Sequence, residues 1–333
     1  MTSEKTPSKL ELVCPAGTPA ALRVAVDAGA DTVYLGFRDA TNARNFPGLN
    51  FSVAELEEAL DYAHSHDARV LLAVNTYAQA GNDDAWTQAV DNAARLKVDA
   101  LILADIGLLD YAHRTHPDLR LHLSVQASAS NPVAIQHYVK EFGVRRVVLP
   151  RVLTVPEIKS LNQEIDIETE VFAFGGMCPM AEGRCSLSSY ITGKSPNMNG
   201  VCSPASHVAY IQQGRTLTSN LAGFTINSFG PHEQAGYPTL CKGRFTANDE
   251  TGYLFEEPTS LNVTGILSEL MAAGVTALKI EGRQRSKAYV REVVQNFRQA
   301  IDQAARGEGG KIAMDNLSEG GQNTTGAYDK KWM

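Results

Sequence analysis

Four of the five cysteines fall in one segment of the chain, at Cys178, Cys185, Cys202 and Cys241, with the spacing C-x6-C-x16-C-x38-C. This segment is rich in Gly, Ser, Asn and Pro, so it can bury little apolar surface, and a thiolate-bound metal centre would supply the missing cross-links. Structural zinc uses C-x2–4-C pairs, which are absent here, whereas iron–sulfur clusters accept irregular separations. The spacing therefore favours an iron–sulfur cluster over zinc, with four unrelated buried thiols as the remaining alternative.

Polar side chains follow most of the apolar runs in the chain, and three of them are arginines. An arginine binds a carboxylate through two parallel hydrogen bonds, so Arg44, Arg151 and Arg283 around one site predict a small anionic ligand. Asn45 and Asn75 are predicted to take part in the same substrate binding. The alternative is that each arginine is solvated at the surface or paired with a neighbouring loop.

Three further polar residues at the ends of apolar runs are candidates for catalysis. Asp105 and Glu281 could transfer a proton or orient the arginines. Gln126, flanked by two serines, could hydrogen-bond a reacting group or support one that does. A structural salt bridge is the open alternative for both carboxylates.

The elements that would position these residues are short apolar runs alternating with segments of helical periodicity. The runs are Leu10 to Cys14, Thr32 to Phe37, Arg69 to Asn75, Ala100 to Asp105, Leu119 to Val125, Arg145 to Pro150, Ile167 to Phe174 and Ala277 to Glu281. Eight parallel strands with helical crossovers close most simply into an α/β fold of the (β/α)8 TIM-like barrel type. Its active site lies at the C-terminal ends of the strands, where the polar residues stand.

An open doubly wound sheet is the competing architecture. Cys14-Pro15-Ala16-Gly17 follows the first run, where a dinucleotide-binding sheet would place G-x-G-x-x-G, so that function has no fingerprint. Cys14 itself is predicted to be a small core residue. Four of the runs are preceded by a similar short segment, in which a glycine or its substitute ends the preceding helix. These segments begin at Ala28, Lys97, Gly143 and Ala273.

The domain boundaries follow from these patterns. Barrel strands one to seven are predicted in 10–175, a cysteine-bearing insertion in 176–261, the last helix, strand and helix in 262–306, and a loose polar C-terminal tail in 307–333. Within the insertion, the stretch from Val208 to Leu217 predicts a hairpin. Helices are expected from Asn262 to Ala273, capped near Ser260, and from Ser286 to Ala305.

Composition excludes several classes of protein. The 333 residues are 44% hydrophobic and 20% charged, which is ordinary for a globular chain. A net charge of −7, with no aromatic stripe beside a basic cluster, predicts no nucleic-acid partner. The polar start at residues 1–9 is unlike a signal peptide, and no apolar run approaches the ~18 residues of a membrane helix. A cytoplasmic protein without a membrane span is expected.

The stretch from Glu170 to Ser188 resembles the signature of the peptidase U32 (collagenase-like) family, E-x-F-x-x-G-[SA]-[LIVM]-C-x4-G-x-C-x-[LIVM]-S. Gly176 is the one departure, because Ser or Ala is usual there. Further segments resemble the ubiquinone-biosynthesis branch of that family. They are 41–46, 124–128, 149–153, 235–244 and 279–286.

The resemblance implies a [4Fe–4S] cluster held by Cys178, Cys185, Cys202 and Cys241. It also implies a heterodimer with a homologous UbiV-like protein and O2-independent hydroxylation of a ubiquinone precursor at C6, with prephenate, a dicarboxylate, as the oxygen donor. A collagenase-like peptidase and a prephenate-dependent RNA hydroxylase are the alternatives that the family offers. The sequence contains no H-E-x-x-H and no G-x-S-x-G to support a peptidase.

Overall fold

The computed structural model describes residues 10–180, 185–194, 202–233 and 235–330. The polar start expected at residues 1–9 and positions 181–184 of the signature lie outside these ranges, as do residues 331–333 of the expected tail.

Eight parallel strands form a closed barrel. They are β1 (Glu11–Pro15), β2 (Thr32–Leu35), β3 (Arg69–Val74), β4 (Ala100–Leu103), β5 (Leu121–Leu123), β6 (Arg146–Val148), β7 (Glu168–Gly176) and β14 (Ala277–Ile280). Each strand from β1 to β7 pairs with the next, and β14 closes the ring by pairing with both β1 and β7. The predicted (β/α)8 barrel is confirmed, and the closure excludes an open sheet.

Helices surround the barrel and bury its outer face. They are α1 (Pro19–Asp27), α2 (Val53–His64), α3 (Asp84–Leu96), α4 (Ile106–Thr115), α5 (Pro132–Phe142), α6 (Val155–Glu164), α8 (Leu267–Ala272) and α9 (Lys287–Ala305). Successive strand residues point to opposite faces. Val13 accordingly packs inside the barrel with Tyr34, while Leu12 and Cys14 pack outside it in the core shared with the helices. Cys14 is fully buried, so its predicted core role is confirmed.

The turns that lead from helix to strand have the backbone that the entry pattern predicts. In all four turns, a residue at or just after the end of the helix has a positive φ. The values are 104° at Gly29, 57° at Lys97, 65° at Gly143 and 84° at Gly274. Three of the four are glycines, which adopt this conformation without a steric penalty. These turns set the direction in which each strand enters the barrel.

The segment between β7 and β14 forms small antiparallel sheets of its own. It contains α7 (Ser186–Thr192), a sheet of β8 (Val208–Gln213), β9 (Thr216–Leu221) and β10 (Phe224–Phe229), and a hairpin of β11 (Arg244–Ala247) and β12 (Glu250–Tyr253). The hairpin predicted over Val208 to Leu217 is confirmed, with its turn between β8 and β9 at residues 214–215.

The helix expected from Asn262, capped near Ser260, is wrong in its first half. Ser260–Asn262 is a strand, β13, that pairs antiparallel with the end of β7, and the helix itself is confined to α8. The local sequence pattern fits a helix, but the extended backbone gains hydrogen bonds to a strand that is distant in the sequence. The Thr264–Ile266 turn connects β13 to α8.

The expectation of a loose segment after Gly307 is wrong for its later part. The short strand β15 (Asn323–Thr324) pairs with β13 and extends the sheet. Met314 is fully buried, and the buried Tyr328 hydroxyl donates a 2.7 Å hydrogen bond to the carbonyl of Phe172 in β7. The C-terminal segment is thus docked on the strand that leads to Cys178.

A network of charged residues fills the N-terminal end of the barrel. The buried Arg146 guanidinium pairs with Glu11 at 2.6 Å, with Glu168 at 2.5 Å and with Glu170 at 3.2 Å. Lys279 Nζ lies 2.6 Å from Glu170 and 3.9 Å from the centre of the Tyr34 ring. Burial raises the pKa of Tyr34, whose hydroxyl donates a 3.0 Å hydrogen bond to the Ile280 carbonyl. Tyr34 therefore lies between this network and the charged residues at the opposite end of the barrel, and it interacts electrostatically with Glu170 on one side and with Glu281 and Arg283 on the other.

In the described part of the chain, no helix is both long and apolar enough to cross a membrane.

Candidate active site at the barrel mouth

The four clustered cysteines come from four different local structures. Cys178 lies two residues after the end of β7, and Cys185 is the N-cap residue directly before α7. Cys202 precedes the buried Ser203, and Cys241 lies in the single turn Leu240–Lys242, against which α7 packs. These positions are far apart in sequence, and the fold of residues 176–261 brings them to one side of the barrel mouth, the end formed by the C-termini of the strands.

The thiols influence one another electrostatically in three pairs. Burial raises the pKa of Cys241 to about 11, with the Cys178 and Cys202 thiols adding to the rise and Lys242 opposing it. Burial also raises the pKa of Cys202; Arg44 opposes that rise, while Cys185 and Glu281 add to it. Cys241 is therefore influenced by Cys178 and Cys202, and Cys202 by Cys185, so each of the four cysteines has at least one other as an electrostatic neighbour.

Among the described residues, no three His, Cys, Asp or Glu side chains are grouped closely enough to hold one metal ion. The four thiols are the free sulfur donors that this segment offers.

Arg151 is paired within the mouth. Its Nη2 lies 2.8 Å from Glu281 Oε2, and its guanidinium stacks over the Phe172 ring with the carbon 3.5 Å from the ring centre. Glu281 follows β14, and its backbone N–H donates to the Phe174 carbonyl at 2.8 Å. The salt bridge that the sequence left open for Glu281 is therefore present, with Arg151 as its partner.

Arg283 is the buried cation of the mouth. It is 6% exposed, and among the described residues no carboxylate lies within ion-pairing distance and its Nε has no hydrogen-bond partner. Burial lowers the pKa of Arg283 to about 10, with Tyr34 opposing the decrease and Arg44 adding to it, so the guanidinium still carries its charge at neutral pH. Arg283 and Arg44 are therefore neighbouring cations with charge available for an anion.

Asn50, which sequence reasoning missed, holds these two arginines. Its Oδ1 accepts a short hydrogen bond from Arg283 Nη2, and its Nδ2 donates to the Arg44 carbonyl at 2.8 Å. Its φ of 74° makes room for both contacts. Gly36 contributes space, because a Cβ there would lie 2.7 Å from Arg283 Nη2. Among non-glycine residues, Asn is one of the types most often found with a positive φ. That preference is the sequence signal that could have marked Asn50.

The loop after β2 is positioned by the predicted Asn75. Its Oδ1 accepts a 2.9 Å hydrogen bond from the Ala43 backbone N–H, next to Arg44. Asn45 is half-buried beside Arg44. The structure thus gives Asn75 a role in shaping the loop that carries Arg44.

The candidate catalytic residues occupy different positions. Asp105 caps α4: Oδ1 accepts from Gly107 and Leu108 backbone N–H groups at 2.7 and 3.2 Å, and Oδ2 accepts from Ala78 at 3.1 Å. Gln126 lies in a short turn after β5, where its buried Oε1 has no hydrogen-bond partner among the described residues. The capping contacts explain Asp105 without catalysis, whereas Gln126 keeps an acceptor for a ligand.

Comparison with known proteins places the chain in a family. Residues 17–332 match the model of peptidase family U32, and the chain belongs to that family. It is 33% identical to tRNA hydroxylation protein P of Haemophilus influenzae, over 91% of this chain and 70% of that protein. It is 30% identical to tRNA hydroxylation protein P1 of Bacillus subtilis, over 88% and 63%. A collagenase of Porphyromonas gingivalis is 26% identical, over 89% and 66%. The chain spans about two thirds of the length of these curated relatives.

Proposed function

We propose that this chain is the [4Fe–4S] subunit of an O2-independent hydroxylase that acts on a ubiquinone precursor. The observation that carries the proposal is that Cys178 follows the end of β7 at the barrel mouth, and that Cys202 lies within electrostatic reach of Cys185, Cys241 and Arg44. Arg283 and Arg44 have no carboxylate partner among the described residues. The sequence resembles the ubiquinone biosynthesis protein UbiU, and relatives that share the family are named for hydroxylation.

The donor set fits an iron–sulfur cluster better than zinc. In a [4Fe–4S] cluster each thiolate binds a different iron atom, so the four sulfurs stand farther apart than around one ion. The four cysteines are spaced irregularly in the sequence, without the C-x2–4-C pairs of structural zinc sites, which supports a cluster. Cys178, Cys185, Cys202 and Cys241 would hold the cluster, which when bound supplies one-electron redox chemistry at the mouth.

The arginines would bind the oxygen donor. Arg283 and Arg44 provide charge without a carboxylate partner in the described chain, and a dicarboxylate such as prephenate supplies the matching anions. Glu281 holds Arg151 in place at 2.8 Å, so this pair would border the ligand rather than bind its carboxylates. Gln126 would accept a hydrogen bond from a ligand hydroxyl through its free Oε1.

A homologous partner completes the proposal. A UbiV-like protein would form a heterodimer with this chain, and the pair would hydroxylate the precursor at C6. The polar residues of this chain would bind and orient the small molecules.

Hydroxylation of RNA is the second candidate, and the relatives favour it. The two relatives above are named for tRNA hydroxylation, which weighs against the expectation that nucleic acid plays no part. The net charge of −7 weighs against an RNA substrate.

Two assays with the anaerobically isolated protein separate the candidates. Our proposal predicts hydroxylation of the ubiquinone precursor when the UbiV-like partner and prephenate are supplied, and none of unmodified tRNA. Conversion of tRNA alone would reject it in favour of the second candidate.

A peptidase activity is tested separately. The family is named for peptidases, and one relative is named a collagenase. If this chain were such a peptidase, it would cleave denatured collagen, and the Cys202→Ala variant would still do so. Our proposal predicts no such cleavage.

A further inference from the structure

Glu319, in the C-terminal segment, reaches two cations near the thiols. Its carboxylate makes a short ion pair with Lys242 Nζ and lies 3.2 Å from Arg285 Nη2. Lys242 directly follows Cys241, and Arg285 lies in the loop between β14 and α9. The Glu319 side chain is 27% exposed and that of Lys242 is 14% exposed, so both are largely shielded from water. A charge-assisted contact shielded in this way is stronger than one at the open surface.

The space that Glu319 occupies exists because residue 176 has no side chain. A Cβ on Gly176 would lie 2.6 Å from Glu319 Oε1 and 3.0 Å from its carboxyl carbon. Gly176 is also the position at which the chain departs from the Ser or Ala of the family signature. The carboxylate therefore fills the volume that this departure opens, two residues before Cys178.

The backbone around Glu319 is tied to the same strand end. The Glu319 backbone N–H donates to Ser260 Oγ at 2.9 Å. Ser260 is paired with Gly176 across the β13–β7 ladder and with Asn323 across the β13–β15 ladder. Through these contacts Glu319 is fixed to the end of β7 while its carboxylate holds the turn that carries Cys241.

We infer that Glu319 is a positioning residue: through Lys242 it fixes the Cys241 turn against the end of β7, in the space left by Gly176. The C-terminal segment is then part of the thiol site rather than an appendage. The inference rests on the proposed cluster for its iron measurements, and a second measurement on the iron-free protein stands without the cluster.

Two single substitutions should give the same defect. Glu319→Gln keeps the shape of the side chain but removes its charge, and Gly176→Ala displaces the flexible carboxylate with a methyl group. We expect each to release iron to a chelator roughly tenfold faster, which corresponds to about 1.4 kcal/mol.

The double variant should release iron no faster than either single variant, because both substitutions remove the same interaction. Glu308→Gln and Gly310→Ala, at an exposed ion pair and an open site in the same segment, should release iron at the parent rate.

The reduction potential distinguishes positioning from general loosening. Glu319→Gln leaves Lys242 without its counter-charge, so the potential of the cluster should become more positive, and the shift should disappear in Lys242→Met/Glu319→Gln. In the iron-free protein, iodoacetamide should alkylate Cys241 severalfold faster in Glu319→Gln than in Glu308→Gln. Additive effects of the two single substitutions, or equal alkylation rates, would overturn the inference. If the protein holds no cluster, the alkylation comparison alone decides it.

Discussion

Arg151 and Glu281 neutralise each other at the barrel mouth, with 2.8 Å between Nη2 and Oε2. Arg283, two residues beyond Glu281, has no such partner in the described chain and is nearly inaccessible to solvent. Two arginines that both follow barrel strands thus differ in the charge they can offer. A buried guanidinium without a counter-ion carries a desolvation cost that an anionic ligand relieves.

Arg283→Met should therefore weaken carboxylate binding. Loss of a hydrogen bond to a charged group costs about 1.5–3 kcal/mol, so we expect the Kd for prephenate to rise roughly ten- to a hundredfold. Isothermal titration calorimetry under anaerobic conditions measures it. The double variant Arg151→Met/Glu281→Gln removes a guanidinium together with its counter-charge and should change Kd much less. The reverse order of effects would place the carboxylate at Arg151.

Substitution of one cluster thiol should remove the iron and leave the barrel intact. Cys202 is coupled to Cys185 and Cys241, whereas Cys14 is buried between β1 and the helices. We expect Cys202→Ala to lose most of its iron and all hydroxylation, while Cys14→Ala keeps both. Iron analysis and far-ultraviolet circular dichroism test this pair. Iron retained by Cys202→Ala would exclude this cysteine as a ligand.

The charged network at the other end of the barrel should carry stability. Arg146 is 2% exposed and pairs with Glu11, Glu168 and Glu170. Arg146→Met removes the buried cation that three carboxylates share and leaves them only Arg69, Arg120 and Lys279 as charged partners in the described chain. We therefore expect a loss of about 3 kcal/mol in the free energy of unfolding. Urea unfolding measures it. Arg114→Met, at an exposed pair with Asp110, is the control and should change the free energy by less than about 1 kcal/mol. Equal effects would show that the network contributes no more than a surface pair.

The same network predicts a pH dependence. Burial alone would raise the pKa of Glu11, but hydrogen bonding and charge from Arg146, with help from Thr32 and Arg69, bring it below its usual range. A carboxyl with a lowered pKa in the folded state adds stability above its unfolded pKa of about 4.3, and that stability is lost as the pH falls through the lower folded value. The urea midpoint should thus fall more steeply below about pH 4.5 in the parent than in Arg146→Met. Parallel pH profiles would contradict this.

The barrel was predictable because buried parallel strands read as near-continuous apolar runs. Runs such as Ala100 to Asp105 stand out against the amphipathic helices on either side, and Gly29 and Gly274 mark the turns between them. The polar residues at the ends of the runs were also visible. Their partners were not, because Arg151 and Glu281 meet only through the register of the closed barrel.

Other features depend on contacts that local sequence does not encode. Asp105 precedes a helix and has the residue type of an N-cap, so its backbone contacts were within reach of sequence reasoning. Ser260 adopts an extended backbone only because the end of β7 offers it a ladder. Glu319 lies in a segment that was expected to be loose, and only its spatial contact with Gly176 relates it to the cysteines.

The iron and acid-labile sulfide content of the anaerobically isolated protein tests the central claim most directly. A [4Fe–4S] cluster held by Cys178, Cys185, Cys202 and Cys241 predicts about four iron and four sulfide per chain. One zinc per chain with no sulfide would contradict the account.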